Sequence, residues 1–363
     1  MKFVHIADVH LGMSFQHAGF GGKIGKERRQ EIKATLMRVV TYCENHEVEL
    51  LLIAGDLFED TYVRLSELKD INHSFSKLSQ TQVLISGGNH DPIIDNNSPY
   101  RAIDWHSNVH IFETSMSSIY LENINTQVWS FSWSEKWMSP FSIDPSMSLD
   151  SHRINLLMLH GDVYQKNNYH YIDKDELGCM SFDYIALGHI HKADFITPTM
   201  AYPGSLEPQD FSEVGDHGFI EGEISDGLCK AQFIPFSKRS FRTIKVAISG
   251  GMSFEAIVEK LHKALSEVAS KDFIRLVIEG DIDPDVDLSI EEIKTRLAHN
   301  FYYVEVKNET QLDLDINQLA KDYKETLIGK YIEAMLELDS EDSVVTEALY
   351  KGLRLLLDEQ VKL

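Results

Sequence analysis

Five short stretches of this 363-residue chain end in side chains that bind metal ions well. "FVHIADVH" ends on Asp8 and His10, "LLLIAGD" on Asp56 and "QVLISGGNHD" on Asn89, His90 and Asp91. "INLLMLHGD" ends on His160 and Asp162, and "YIALGHIH" on His189 and His191. Carboxylates and imidazoles without thiolates suit Mn²⁺, Fe²⁺ or Zn²⁺. In extended chain a residue and its second neighbour point to the same side, so Asp8/His10 and His189/His191 can each give two ligands to one site. Asp56 has two carboxylate oxygens and can bridge two ions, and Gly55 before it allows a sharp turn. Counting Asp56 twice, with Asp8, His10, Asn89, His160, His189 and His191, gives four protein ligands for each of two ions. His90 is left over beside them. An imidazole in that place can stabilise charge on a phosphoryl group or protonate a leaving oxygen. Paired ions about 3.5–4 Å apart would clamp the phosphate and activate a water.

These residues need strand ends to hold them. Each run is rich in Val, Ile and Leu, as in strands buried on both faces. Helical patterns lie between the early runs. "KERRQEIKATLMRVVTYCEN" puts Ile32, Leu36, Val39, Val40 and Cys43 on one stripe, and "YVRLSELKDINHSFSKL" does so more weakly. Strand alternating with helix predicts a layered α/β domain with its ligands at the carboxyl ends of the strands. From about Phe195 to Phe236 short strands with Gly, Pro and Asp turns follow. The stretch 241–306 reads strand–helix–strand–helix–strand, a small α/β module. The tail 317–363 reads as two amphipathic helices separated by "DSEDS", with a stripe of Tyr323, Leu327, Tyr331, Met335 and Leu338. From Lys307 onward there are thirteen acidic and seven basic residues, which suits a protein partner better than DNA.

The whole chain carries 57 acidic residues against 34 Lys and Arg, a formal charge of −23. A surface that binds nucleic acid unaided is usually basic, so such a role needs bound metal ions or a partner. Cys43, Cys179 and Cys229 show neither a disulfide framework nor zinc spacing and are expected to be buried thiols in a reducing compartment. His5 and Asp8 come too early for a signal peptide, and no apolar run approaches the ~20 residues of a membrane helix. A soluble cytoplasmic protein is the expectation.

D-x-H, G-D, G-N-H-D, H-G and G-H-x-H in this order resemble the calcineurin-like metallophosphoesterases over roughly residues 1–236. The opening "HIADVHLG", with "AGDLF" and "LGHIH", is similar to the DNA-repair nuclease branch, which holds bacterial SbcD and the SbcD-like YhaO proteins. The resemblance implies two packed mixed β-sheets flanked by helices. It implies Asp8, His10, Asp56 and His191 on one ion, Asp56, Asn89, His160 and His189 on the other, and His90 as the catalytic histidine. It also implies a capping domain that selects DNA, then a helical segment that binds an ABC-type ATPase. The 241–306 module and the 317–363 tail fit those places by position. The expectation is a Mn²⁺-dependent nuclease acting on DNA ends, the nuclease subunit of an SbcCD-like complex with a coiled-coil ATPase partner. A homodimer is a further partner expectation, and with no long apolar run a membrane is not one. One residue departs from the branch. Three residues after the bridging aspartate it usually has histidine, and this chain has Glu59. Related protein phosphatases carry an aspartate there that orients the catalytic histidine, so Glu59 either pairs with His90 or is a solvated carboxylate beside Asp60.

Blander readings stand beside these. His5, His17, His106, His152, His170 and His217 lack ligand spacing and read as surface or hydrogen-bonded histidines. Asp162 either holds a ligand in place or is a solvated turn residue. "YPGSLEPQDFSE", 202–213, is as readily a turn as a functional loop. Trp129, Phe131 and Trp133 alternate as core aromatics do, rather than as base-stacking ones. Two other functions compete: a phosphatase or nucleotide phosphodiesterase on small substrates, favoured by Glu59 and the acidic surface, and a structural subunit regulating an ATPase with a vestigial metal site. The intact ligand set opposes the last.

Overall fold

The computed structural model describes residues 1–15, 20, 22–94, 98–140, 147–166, 170–338 and 343–360. The chain divides into two compact units, Met1–Ser240 and Phe241–Leu363.

The first unit alternates strand and helix at its start: β1 (Lys2–Ile6), α1 (Gly22–Asn45), β2 (Leu50–Ala54), α2 (Leu65–Phe75) and β3 (Gln82–Ser86). Then come β4 (Val109–Ile111), β5 (Ser117–Leu121), β6 (Thr126–Ser130), β7 (Ile154–His160), α3 (Lys174–Gly178) and β8 (Tyr184–Gly188). β9 (Asp194–Thr197), β10 (Met200–Tyr202), β11 (Gly218–Ser225) and β12 (Leu228–Pro235) complete it. They form two six-stranded mixed sheets, in the orders β12-β11-β1-β2-β3-β4 and β5-β6-β7-β8-β10-β9. β1 to β4 run parallel in the first, and β6, β7, β8 and β10 in the second.

The sheets pack face to face because alternate residues of each are apolar. Leu50, Leu52 and Ala54 meet Val128, Leu156, Met158 and Ala186 in one core cluster. Leu51 and Ile53 point the other way and are buried too, so β2 has no wet face. The helical stripe predicted for α1 is the buried one: Ile32, Leu36, Val39, Val40 and Cys43. Of the cysteines only Cys43 is buried; Cys179 is exposed and Cys229 half-buried. The expectation of three buried thiols therefore fails, because Cys179 caps a short exposed helix and Cys229 sits on the outer strand β12.

A buried ionic network also belongs to this unit. The Arg28 guanidinium, 0 % exposed, donates to Glu31 Oε2 at 2.6 Å, to Glu207 Oε2 at 3.1 Å and to the Pro208 carbonyl at 2.8 Å. Thr35 and the Lys238 amide donate to Glu207 Oε1, both at 2.6 Å, and Arg239 Nε to Glu31 Oε1 at 2.8 Å.

The second unit opens with the predicted module: β13 (Phe241–Ile248), α4 (Phe254–Ala264), β14 (Phe273–Ile282), α5 (Ile290–Ala298) and β15 (Tyr303–Leu312). Its three strands are parallel, in the order β13-β14-β15, over a core that includes Ile257, Leu261, Ile274, Leu276, Ile293 and Leu297. β15 runs on past 306, since its ladder with β14 continues to Leu312 opposite Ile282. The tail holds three helices where two were expected: α6 (Ile316–Asp322), α7 (Leu327–Leu336) and α8 (Ser343–Gln360). Thr326 starts α7 by accepting from the Gly329 amide, and this break resets the helical phase. Ile328 and Ile332 thus face Leu349 and Leu353, with Tyr323, Tyr331 and Met335 packed around them. Leu327 and Leu338, two members of the expected stripe, are 69 % and 52 % exposed. Most of "DSEDS" lies outside the described residues. Among the described residues no helix is long and apolar enough to cross a membrane.

Arg28→Met takes the guanidinium from the buried Glu207, while Glu31 keeps Arg239 at 2.8 Å and Lys238 at 3.0 Å. The substitution is expected to cost about 3–5 kcal/mol of stability, the usual penalty for breaking a buried ion pair from one side. Urea denaturation measures this, and a wild-type midpoint would show the network to be energetically idle.

Candidate metal centre

β1, β2, β3, β7 and β8 deliver every predicted ligand to one rim of the sandwich. The geometry differs from the expected extended pairs. β1 stops at Ile6 and β8 at Gly188, and the chain then turns. Asp8, His10 and Asp56 take left-handed backbone angles, φ 51°, 51° and 53°, and His189 lies at φ 101°. Such conformations are costly for residues with side chains and persist where the surroundings hold them. Here the turns are zipped together: Asp8 N–H donates to the Gly55 carbonyl at 3.2 Å, His10 N–H to Asp56 O at 3.0 Å, and Leu11 N–H to Leu57 O at 3.1 Å. The side chains converge because these turns re-aim them. Gly55 and Gly88 allow the close approach. A Cβ at Gly55 would lie 2.1 Å from His160 Nδ1, and one at Gly88 2.3 Å from Asp56 Oδ1.

Asp8, His10, Asp56 and His160 are each about 1 % exposed. Ligand atoms of Asp8, His10 and His191 lie within 4.8 Å of one another, as do those of Asp8, Asp56 and His160. Asn89 Oδ1 sits 3.0 Å from His160 Nε2 and 3.1 Å from His189 Nδ1. A third such group joins His90 to His10 and Asp56, so the residue left over by the ligand count stands at the edge of the cluster, its side chain 43 % exposed.

Glu59 is not a solvated loop residue. Its Oε2 accepts from His90 Nδ1 at 3.0 Å and its Oε1 from His10 Nδ1 at 2.9 Å. One carboxylate therefore holds both the expected catalytic histidine and an expected ligand, whose rings meet edge to face at 4.7 Å. His191 Nδ1 is engaged by Glu213 Oε1 at 2.7 Å, and His160 Nδ1 by the Ala54 carbonyl at 2.9 Å.

The electrostatics follow from burial and pairing. Burial works to raise the Asp56 carboxyl, but His160, 3.3 Å away, with His10 and His90, overrides it and holds Asp56 well below the ordinary carboxylate range. Burial leaves Asp8 raised against the opposing charges of His191 and His160. Burial likewise opposes protonation of His160 and His191. Asp56 nevertheless lifts His160 to about 9, and Glu213 lifts His191 to about 9. His189, desolvated and next to His160, falls to about 3. Hydrogen bonds to His10 and His90 bring Glu59 down to about 2 despite its burial. His90 is raised by its bond to Glu59 and by Asp56, against desolvation. The pocket thus gathers positive charge. His10 Nε2 and His191 Nε2 face each other at 3.1 Å while both Nδ1 atoms bind carboxylates. With Nδ1–H donating, two lone pairs point at one place, and a cation satisfies both. The residues fit a pair of divalent ions.

Two carboxylates escaped the sequence reading. Asp91, fully buried, accepts from the amides of Gly88 (2.6 Å), Leu57 (2.7 Å) and Asp56 (3.1 Å) and from the Tyr100 hydroxyl (2.6 Å), so it ties the G-D turn to the G-N-H-D turn. It stands within the quoted motif, but nothing in the spacing separates a turn tie from a ligand. Glu213 ends the 202–213 segment and carries no local signal; only the fold brings it to His191.

The other assignments resolve as follows. Asp162 is buried and caps its own turn, accepting from the Tyr164 amide at 2.7 Å. His5 is buried against Tyr184 Oη at 3.1 Å, His170 bonds the Ser139 carbonyl at 2.9 Å, and His217 bonds Ser205. His106 bonds Asn108 at 2.7 Å and His152 is exposed, while His17 lies outside the described residues. Phe131 and Trp133 are core residues, and the Trp133 indole donates to the His160 carbonyl at 2.8 Å. Trp129 is half-buried against the same core cluster as Phe131.

Residues 1–193 match the family model described as calcineurin-like phosphoesterase. An uncharacterized metallophosphoesterase, YhaO of Bacillus subtilis (strain 168), is 24 % identical over 296 residues, covering 77 % of this chain and 72 % of that protein. The likeness therefore extends past the 240 residues of the first unit.

Glu59→Gln offers one carbonyl oxygen where the carboxylate offers two, so either His10 or His90 must face an amide donor. Affinity for Mn²⁺ is expected to fall about 10–100-fold, the usual effect of losing a ligand's hydrogen-bond partner, together with a loss of rate. Equilibrium dialysis of the apoprotein checks the first; unchanged binding would show that His10 needs no such support.

Proposed function

Because the chain belongs to the calcineurin-like phosphoesterases, phosphoester hydrolases that use a pair of divalent ions, we propose that it cleaves phosphodiesters at DNA ends with Mn²⁺. Asp8, His10, Asp56 and His191 would hold one ion, and Asp56, Asn89, His160 and His189 the other. When bound, the ions polarise the phosphoryl group and lower the pKa of water. His90 supplies what the ions do not. Half exposed and bonded through Nδ1 to Glu59, it would use Nε2 to donate a hydrogen bond or a proton to a phosphoryl or leaving oxygen.

The observation that carries the nuclease reading is the sequence set "HIADVHLG", "AGDLF" and "LGHIH", resembling the DNA-repair branch, on a chain with a second compact unit after its phosphoesterase unit. That unit's α/β module would act as the cap that selects DNA. Its tail exposes Leu327, Leu336, Val344 and Leu355, which suits docking of a coiled-coil ABC-type ATPase in an SbcCD-like complex. Such a partner, with the metal ions, would offset the repulsion between DNA and a chain of charge −23. A homodimer and a cytoplasmic setting accompany this reading. The second reading is a phosphatase or nucleotide phosphodiesterase with small substrates. The Glu59–His90 bond favours it, since phosphatases of this kind place a carboxylate at that offset.

Mn²⁺-dependent assays on duplex DNA ends and on bis(p-nitrophenyl) phosphate separate the two. Cleavage of DNA ends supports the nuclease reading; turnover of the small diester with DNA left intact refutes it.

The roles predict distinct variants. His90→Asn should keep both metal equivalents and lose about 10²–10⁴-fold in rate; unchanged turnover would return His90 to a structural role. Asp56→Asn should lose both metal and activity, because one carboxylate serves two ions. Metal content at the wild-type level in that variant would overturn the bridging assignment.

A further inference from the structure

We propose that Glu213 is a positioning residue of the metal centre, holding His191 by Nδ1 so that Nε2 is aimed into the site. The proposal rests on reading His191 as a ligand.

Three observations carry it. First, Glu213 Oε1 lies 2.7 Å from His191 Nδ1, closer than any other histidine–carboxylate contact in the cluster. An Nδ1–H donor to a carboxylate leaves Nε2 as the lone-pair nitrogen and makes it more basic. Second, the other carboxylate oxygen is itself pinned. Glu213 Oε2 accepts from the Ser205 hydroxyl at 2.8 Å and from the Gln209 amide at 3.1 Å, so the carboxylate cannot rotate away without leaving two donors unpaired. Third, the segment that carries it is anchored at several points in the same unit. Ser205 N–H donates to the His191 carbonyl at 2.9 Å, and Glu207 is locked to Arg28 and Thr35 in the buried network. Ser205 also bridges to Ala7, the residue before Asp8. The loop therefore fixes the orientation of one expected ligand.

The roles are unequal around the cluster. His10 and His191 lean on carboxylates, while His160 leans on the neutral Ala54 carbonyl. Removing Glu213 should therefore weaken one metal equivalent and spare the other.

The test titrates full-length apoprotein with Mn²⁺ by equilibrium dialysis for the wild type, Glu213→Leu, Glu213→Gln and His191→Ala, with thermal melts of each apoprotein. His191→Ala should lose one equivalent. Glu213→Leu should weaken one equivalent about 10–100-fold. Glu213→Gln, which keeps an acceptor oxygen without the charge, should restore most of that loss while melting like Glu213→Leu or the wild type. If Glu213→Leu does not fold, Glu213→Gln alone decides, with a several-fold weakening of one equivalent expected. Two wild-type equivalents in the folded Glu213 variants, with one lost in His191→Ala, would overturn the positioning role alone. Two wild-type equivalents in His191→Ala would overturn the ligand reading beneath it, and the proposal with it.

Discussion

Two carboxylates, Asp8 and Asp56, sit almost wholly out of water with oxygens within 4.8 Å of each other. Uncompensated, each buried charge costs several kcal/mol, and their mutual repulsion adds to it. Much of the rim is arranged to answer that cost. The His189 amide donates to both Asp8 oxygens at 3.1 Å, and the His90 amide to Asp56 Oδ1 at 2.8 Å. His160 and His191 are driven toward protonation, and the same field that draws protons would hold divalent ions. The site is a place where positive charge is stabilising, which is what phosphoester hydrolysis by a metal pair requires.

Such a site needs a stiff support, and the sandwich supplies it. β2, buried on every residue, places Asp56 just beyond its end, and β7 carries His160 as its own last residue. The two strands belong to different sheets, joined by the Leu50–Leu52–Ala54 face against Leu156 and Met158. The contact of His160 with the Ala54 carbonyl, 2.9 Å, spans the same gap. Core packing and site geometry are thus one structure: a shift between the sheets would move Asp56 and His160, both expected ligands, apart.

Glu59 ties two expected site residues together. It grips His10 and His90 with separate oxygens, so a change there disturbs the expected ligand and the expected catalytic histidine at once. A histidine in its place would offer no carboxylate to either partner. The presence of glutamate here marks a different way of orienting His90 from that expected of the nuclease branch, and this is the physical ground on which the small-substrate reading competes.

The sequence by itself determined the types of the candidate ligands, their order and their place after apolar runs, because strand periodicity and side-chain chemistry are local properties. It also determined the α1 stripe and the strand–helix alternation of 241–306, which need no long-range contact to be read. Tertiary structure decided the rest. The left-handed turns at Asp8, His10 and Asp56 are imposed by hydrogen bonds between segments roughly 45 residues apart. The helix break at Thr326 moved the tail's buried stripe from Leu327 to Ile328. Asp91 and Glu213 gained their roles only when folding set them against backbone amides and against His191. A carboxylate's task is fixed by the donors that reach it, and those donors come from parts of the chain whose separation in sequence says nothing of their distance in space.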